Sequence, residues 1–332
     1  MTQTKFSSEF SSPLHEKIAE AASYNQQREF VPVGNDGSCR YCDLSLPKRA
    51  KPSAHLIPEA LGNKKIFSRD ECNVCNRLFS AYDNELARFA RPLLSIGYIS
   101  GKSGVPKNRG EGVLIERRFN VDGSQTLFVS SECEHFADTM HFDPWTGAFH
   151  HNIPNPNIRF RPMFAYKALS KIGFGLLPRS EIPNFLKLKA WLQHKDDTDG
   201  FHILDVGFQT AIVPNPFPVT YCALFRRRSD HYDTPYMLFI LTIGALLFHI
   251  DLMPDSKDES ISPRLLGTAK IEWKTKLGGS KEPPPVEQKY ENPMFFNWAS
   301  PNLEDHPFSH LHFRYHLSSN TIQFRPVGRE RK

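Results

Sequence analysis

The decisive stretch reads Cys39-Arg-Tyr-Cys42, then Ala54-His55-Leu-Ile-Pro58-Glu59-Ala-Leu-Gly62-Asn63, then Cys72-Asn-Val-Cys75-Asn76, and closes at Asp83. Four of the chain's six cysteines lie here, in two Cys-x-x-Cys pairs that enclose one histidine. Pairs separated by roughly thirty residues have the spacing of a tetrahedral structural zinc site, in which each of two tight turns presents two thiolates to one ion. Disulfides inside the pairs would each close a loop of only a few residues and constrain almost nothing. A redox Cys-x-x-Cys occurs once within a βαβ pattern, not twice. Cys39, Cys42, Cys72 and Cys75 are therefore expected to hold a structural Zn2+.

Between and after the pairs, the segment from Ser53 to Ile57 reads as a short strand stopped by Pro58. From Cys75 to Leu94 the apolar residues Leu78, Phe79, Tyr82, Leu86 and Phe89 recur at helical spacing. The strand presents His55 and the helix presents Asn76. Asp83 follows Asn76 by seven residues, about two turns, so the two share a helix face. One zinc held by both pairs would force strand and helix into a compact ββα-like unit.

A histidine beside a divalent ion can take a proton from water while the ion polarises a phosphodiester oxygen. His55 has the right chemistry for that base. An amide and a carboxylate are hard oxygen donors suited to Mg2+ or Mn2+, whereas thiolates suit zinc, so two different metals are expected. Singly, His55 would be a buried turn residue and Asn76 a helix N-cap. Their joint placement among the cysteines favours the chemical roles.

In order, Cys-x-x-Cys, His-x-Ile-Pro-Glu-x-Leu-Gly-Asn, Cys-x-x-Cys-Asn and a helix with an acidic residue resemble the zinc-knuckle branch of the HNH endonucleases over about Ser38 to Phe89. The resemblance implies an N-terminal ββα-metal domain that cleaves double-stranded DNA. It implies His55 as general base, Asn76 at the catalytic metal position, and the four cysteines on structural zinc. Many members place Asp, Glu or His immediately before the base; this chain has Ala54 there, which leaves Glu59 or Asp83 to supply the carboxylate. By analogy with how such nucleases are deployed, a controlling C-terminal domain and a role in antiviral defence are expected. The alternative is a non-catalytic zinc-knuckle module that binds nucleic acid or protein, which Ala54 favours. A structural zinc protein with no nucleic-acid role is the third reading.

The 332 residues carry a formal net charge of +5, unevenly: Cys39 to Arg118 holds 15 Lys/Arg against 8 Asp/Glu, a net of +7. A cationic surplus beside the cysteine pairs suits a polyanion whose phosphates give up counterions. No apolar run stands near Met1, so no secretory signal is expected, the thiols stay reduced, and the expected location is cytoplasmic. The longest apolar run, Tyr236 to Ile250, is shorter than the roughly 20 residues of a membrane helix and divides at Thr242-Ile243-Gly244 into two buried strands. No membrane partner is expected.

The organisation read from these patterns is α+β in three parts: an N-terminal arm (1–36), the zinc-bearing nuclease unit (37–110), and a larger mixed α/β domain (111–332) that would take a regulatory ligand or a partner protein. The arm is given one short helix, around Leu14 to Tyr24. Gly97 to Gly110 reads as a linker. Strands are expected at Val113 to Phe119, Thr126 to Ser130, Phe201 to Val213, Val219 to Arg226 and His310 to His316. An amphipathic helix is expected at Phe164 to Leu176 and a second helix at Ile182 to Leu192.

Overall fold

A computed structural model of the chain describes residues 7–24, 29–35, 37–47, 54–97, 99–110, 112–119, 121, 125–131, 140–145, 148–154, 158–195, 207–210, 217–244, 246–252, 254–259, 261, 272–276, 297–306 and 310–316. The fold is mixed α and β, with several small sheets and few helices among these residues. In chain order the first elements are β1 (Ser7–Ser11), β2 (His15–Tyr24), β3 (Val31–Val33), β4 (Ala54–His55), β5 (Ile66–Ser68) and the long helix α1 (Asn73–Ile96). Then come β6 (Asn108–Gly110), β7 (Val113–Phe119), β8 (Gln125–Ser131), β9 (Met140–Asp143), β10 (Ala148–Pro154), β11 (Arg159–Phe160), α2 (Pro162–Leu176) and α3 (Leu186–Gln193). The chain continues through β12 (Gly207–Thr210), β13 (Phe217–Arg227), β14 (Met237–Gly244), β15 (Leu246–Asp251), β16 (Glu272–Lys276), β17 (Glu304–Asp305) and β18 (His310–His316).

The largest sheet has the order β12-β15-β14-β13-β2, with every pairing antiparallel. The apolar run from Tyr236 forms its centre as the adjacent strands β14 and β15, and no helix among the described residues is long and apolar enough to cross a membrane. The segment from Leu14 to Tyr24 departs from expectation: it is strand β2, not a helix. Its Ala and Glu residues favour helix in isolation, but Val219–Arg227 supplies an antiparallel ladder from Arg227↔His15 to Val219↔Tyr24, broken by one register shift between Leu224 and Phe225. Tertiary pairing outweighs propensities that differ by only ~0.5 kcal/mol per residue.

Helix α1 buries Phe79, Tyr82, Leu86, Phe89 and Leu93 on one side and exposes Arg77, Ser80, Asn84, Arg88 and Arg91 on the other. Each large apolar side chain removed from water there contributes roughly 1.5–3 kcal/mol. Helix α2 departs from its expected amphipathic form, since all fifteen of its residues are buried. Two glycines account for this. A Cβ on Gly173 would lie 2.8 Å from Leu252 Cδ1 and 3.1 Å from Phe239 Cγ, whereas a Cβ on Gly175 would lie 2.4 Å from Leu56 Cδ1 and 2.9 Å from the Tyr41 hydroxyl. The sheet presses on one side of α2 and the cysteine-bearing unit on the other.

Both ends of α2 are held by residues from that unit. Glu85 of α1 accepts from the Arg161 backbone N–H at 3.0 Å, placing a carboxylate at the helix start, and Arg40 donates to the Phe174 and Leu177 carbonyls at 2.9 and 2.7 Å, placing a cation at its end. Each charge complements the helix dipole where it sits. One hydrophobic core consequently runs from Tyr41, Leu56 and Phe79 through Phe174 to Phe239 and Phe248, joining residues from both sides of position 110. The later segment at 297–306 also packs on α1: the His306 ring stacks on Phe89 at 5.1 Å and Trp298 meets it edge-on at 5.0 Å.

The stretch read as a linker is packed as well. Gly101 sits so close to Ala60 that a Cβ there would lie 3.1 Å from its backbone, and β6 pairs with β7. The second helical stretch begins as a 3-10 segment, Arg179–Phe185, before α3. Parts of the strand expected between Phe201 and Val213 lie outside the described residues.

Candidate metal centre and histidine site

The first cysteine pair lies in a turn closed by the Ser38↔Ser45 bridge and by the Cys39 N–H bonding to the Leu44 carbonyl at 2.8 Å. Cys72 is the N-cap of α1, and Cys75 is in its first turn. The ladder between β3, β5 and β4 brings the two turns together, and the Arg40 N–H bonds the Asp70 carbonyl at 2.8 Å. As a result the four Sγ atoms lie within 4.8 Å of one another, with Cys39–Cys75 at 3.8 Å and Cys42–Cys72 at 3.6 Å.

These separations are far too long for disulfides. They match the edge of a tetrahedron with ~2.3 Å zinc–sulfur bonds, which is about 3.8 Å. Backbone N–H groups already point at sulfur: Cys72 donates to Cys39 Sγ and Cys75 to Cys72 Sγ, each at 3.4 Å, and Gln193 of α3 donates to Cys75 Sγ at 3.5 Å. Hydrogen bonding from Cys75, aided by the Cys72 backbone and opposed by burial, pulls the Cys39 thiol below its ordinary value. The donor set, its spacing and its N–H support all fit a structural zinc ion.

The histidine expected beside this centre ends a two-strand hairpin. Strand β4 pairs antiparallel with β5, Ala54 opposite Ser68 and His55 opposite Phe67, and α1 follows directly. Asn63 holds the hairpin loop: its amide nitrogen donates to the Ile57 and Ile66 carbonyls at 2.7 and 2.8 Å, and its oxygen accepts from the N–H groups of Ile66 and Lys65 at 2.9 and 3.1 Å. All four hydrogen bonds that an amide side chain can readily make are used inside the fold.

The His55 ring lies against Phe67, centroids 4.2 Å apart, and keeps 26% of its side chain exposed. Its Nδ1 is sealed from solvent with no hydrogen-bond partner, and its Nε2 stands 3.8 Å from Glu59 Oε2 in the 3-10 turn that follows β4. Burial lowers the imidazole below its ordinary value, with Lys171 and Lys102 adding to the shift and Glu59 opposing it. Ala54 is buried and offers no ligand atom.

Asn76 occupies the first turn of α1, its own N–H bonded to the Cys72 carbonyl at 2.9 Å. Asp83 follows on the same helix; its Oδ1 is sealed without a hydrogen-bond partner and its Oδ2 is 3.9 Å from Lys171 Nζ. Among the described residues, the four cysteines are the one group of three or more His, Cys, Asp or Glu ligand atoms close enough to hold an ion. Glu59, Asn76 and Asp83 have the right chemistry for Mg2+ or Mn2+; His55, Glu59 and Asp83 do not form such a group.

Three residues here carried no expected role. Asn63 was read only as the last position of the His-x-Ile-Pro-Glu-x-Leu-Gly-Asn motif. Glu71, immediately before Cys72, is wholly buried, 3.5 Å from Lys171 Nζ, and burial opposed by Lys171 pushes its carboxyl up to about 7. Lys171 is wholly buried on α2; burial pulls its ammonium down, and Asp83 and Glu71 outweigh that and hold it above the ordinary value. A lysine amid apolar helix positions was the available signal, but its partners lie about ninety and a hundred residues away in sequence.

A scan against protein-family models and searches of curated proteins and of solved structures found no match.

Proposed function

We propose that the chain is a metal-dependent endonuclease of the HNH type that hydrolyses phosphodiester bonds of double-stranded DNA, with His55 as the general base. One observation carries this reading. A partly exposed, neutral-leaning histidine ends the first strand of an antiparallel pair, and the helix after that pair starts on the four-cysteine centre. That is the strand, strand, helix order that the resemblance implies.

His55 has the form of a base. Its lowered proton affinity keeps the ring uncharged near neutral pH, and with Nδ1 sealed in the fold, Nε2 is the nitrogen left to take a proton from an attacking water. Glu59, 3.8 Å from Nε2, stabilises the imidazolium that forms. Lys64, Arg77 and Lys102 are exposed near these elements in sequence and supply cationic surface for a phosphate backbone. A hard divalent ion, when bound, would neutralise charge on the scissile phosphate. Glu59, Asn76 and Asp83 are the residues that would contribute to holding it.

The experiment is cleavage of supercoiled plasmid with added Mg2+ or Mn2+. Wild type should cut and His55→Ala should not at any metal concentration, because no other group replaces the base. Glu59→Ala or Asp83→Asn should raise the metal concentration for half-maximal rate if that residue is a ligand. Wild-type metal dependence in both would leave the base in place and remove both carboxylates from the ligand set.

The second reading, a zinc-knuckle binding module without catalysis, is favoured by the buried Ala54 and by the absence of a second ligand group among the described residues. It predicts salt-dependent DNA or protein binding, with no cutting by wild type under any divalent ion.

A further inference from the structure

We propose that Lys171 is a positioning residue for His55, an internal cation through which helix α2 sets where the histidine stands. Its catalytic consequence rests on the nuclease reading above; its geometric content does not. The Lys171 ammonium lies among four oxygens from three separate pieces of chain: the carbonyls of His55 and Leu56 at 3.3 and 3.4 Å, Glu71 Oε2 at 3.5 Å and Asp83 Oδ2 at 3.9 Å. The Phe79 ring lies 5.8 Å from the ammonium. One charge thereby ties the end of β4, the residue before the second cysteine pair, and the middle of α1 to α2.

Lysine is a costly residue at this depth. Moving an ammonium out of water costs several kcal/mol, and an apolar side chain of similar length would fill the space without that penalty. Two carboxylates with three sealed oxygens lacking hydrogen bonds, Glu71 Oε1 and Oε2 and Asp83 Oδ1, give the ammonium electrostatic partners. Neutralising acids alone, however, would not require the two backbone carbonyls. These belong to His55 itself and to its neighbour.

The second of these residues, Leu56, is gripped again by packing. Gly175, one turn along α2, allows Leu56 to approach where a Cβ would be 2.4 Å from its Cδ1, and Tyr41 bonds the Lys171 carbonyl at 2.9 Å. His55 has no compensating side-chain anchor at Nδ1, which lacks a hydrogen-bond partner. Its position is set by the Phe67 ring, by Glu59 at 3.8 Å from Nε2, by the β4–β5 pairing and by the backbone that Lys171 holds. A base that must meet an attacking water within hydrogen-bond reach is sensitive to displacements on the order of 1 Å.

The test separates positioning from charge neutralisation. Lys171→Met alone leaves the buried Glu71 and the partly buried Asp83 unbalanced and can fail to fold. Lys171→Met/Glu71→Gln removes one positive and one negative charge but takes the Lys171 cation from Asp83, so the charge-conserving Gly175→Ala variant carries the separation. In that double variant, with zinc content and melting temperature near wild type, kcat for plasmid cleavage should fall on the order of tenfold or more, with KM for DNA within about twofold. Gly175→Ala keeps every charge and displaces Leu56 by packing; it should show the same split.

A readout independent of cleavage is the His55 ring resonance in histidine-labelled protein, assigned by its loss in His55→Ala. It should move in both variants. Wild-type kcat and an unmoved His55 resonance in the double variant would overturn the proposal. If wild type does not cut DNA, the nuclease reading falls and the His55 resonance alone decides whether Lys171 positions the ring.

Discussion

Arg40 and Asp70 form a buried pair at 2.7 Å in which the arginine also carries the C-terminal carbonyls of helix α2. Both side chains are almost wholly removed from solvent, and Arg179, 3.7 Å from Asp70 Oδ2, is a second cation beside the carboxylate. Removing Arg40 leaves the buried Asp70 carboxylate with the partly exposed and more distant Arg179 as its cation, a poor replacement for the bidentate contact. Arg40→Met should therefore lower the unfolding free energy by about 3–5 kcal/mol, measured by urea denaturation. A loss below about 1 kcal/mol would mean that the guanidinium does not clamp the end of α2.

Zinc removal should be at least as damaging. A metal-bearing turn pair has little core of its own, so ion binding and local folding are one event. Elemental analysis should find one zinc per chain, and Cys72→Ser or a strong chelator should abolish cooperative melting of the segment around α1. Purified protein without zinc, or a Cys72→Ser variant with unchanged melting, would reject the assignment.

Residues 37–110 should not fold as an isolated unit even with zinc. Tyr41 and Leu56 pack directly on α2, and Phe89 of α1 packs against Trp298 and His306. Cutting the chain at 110 would expose these faces to water, a loss of several buried large side chains at roughly 1.5–3 kcal/mol each. Circular dichroism of that fragment should show no cooperative transition, and a sharp one would refute the shared core.

Acid should weaken the fold through His249. The Nε2 of this residue on β15 is sealed with no hydrogen-bond partner, and burial, with His15 adding repulsion, lowers the ring to about 4. The folded pKa is below the unfolded one, so the unfolded state takes up the proton first. The stabilising contribution is complete above the ordinary value of 6.5 and is lost as pH falls from 6.5 towards 4. Between pH 7 and pH 5 the wild type should lose roughly 1–2 kcal/mol more than a His249→Leu variant. Comparing the two cancels the acid sensitivity of the cysteine centre. Parallel pH profiles for wild type and variant would show that His249 is not the sensor.

Binding to duplex DNA should fall steeply with salt and should be weakened chiefly by changes to basic residues between Lys48 and Arg118. Lys64, Arg77, Arg88, Arg91 and Lys102 are exposed there, with Arg88 sharing an ion pair with Glu85. Each basic residue that meets a phosphate should, when replaced by alanine, reduce the slope of log K against log salt by roughly one. Equal weakening by changes in 217–261 would move the binding face elsewhere.

Local rules determined much of this from sequence alone. The four-cysteine cluster was legible because Cys-x-x-Cys turns chelate locally and the spacing of two pairs leaves one economical arrangement. The apolar period of α1, the division of the run at Thr242–Gly244 and the strand carrying His55 followed from periodicity and from Pro58. What the tertiary structure alone decided were matters of partnership. Leu14 to Tyr24 became a strand because Val219–Arg227 lies beside it, against its own helical leaning. Helix α2 lost its expected polar face because the sheet and the cysteine-bearing unit close on it from two sides. Lys171 acquired Glu71, Asp83 and the backbone of His55 as partners through chain separations that no local pattern encodes. The energy of a buried charge depends on what surrounds it, and that environment exists only once the chain has folded.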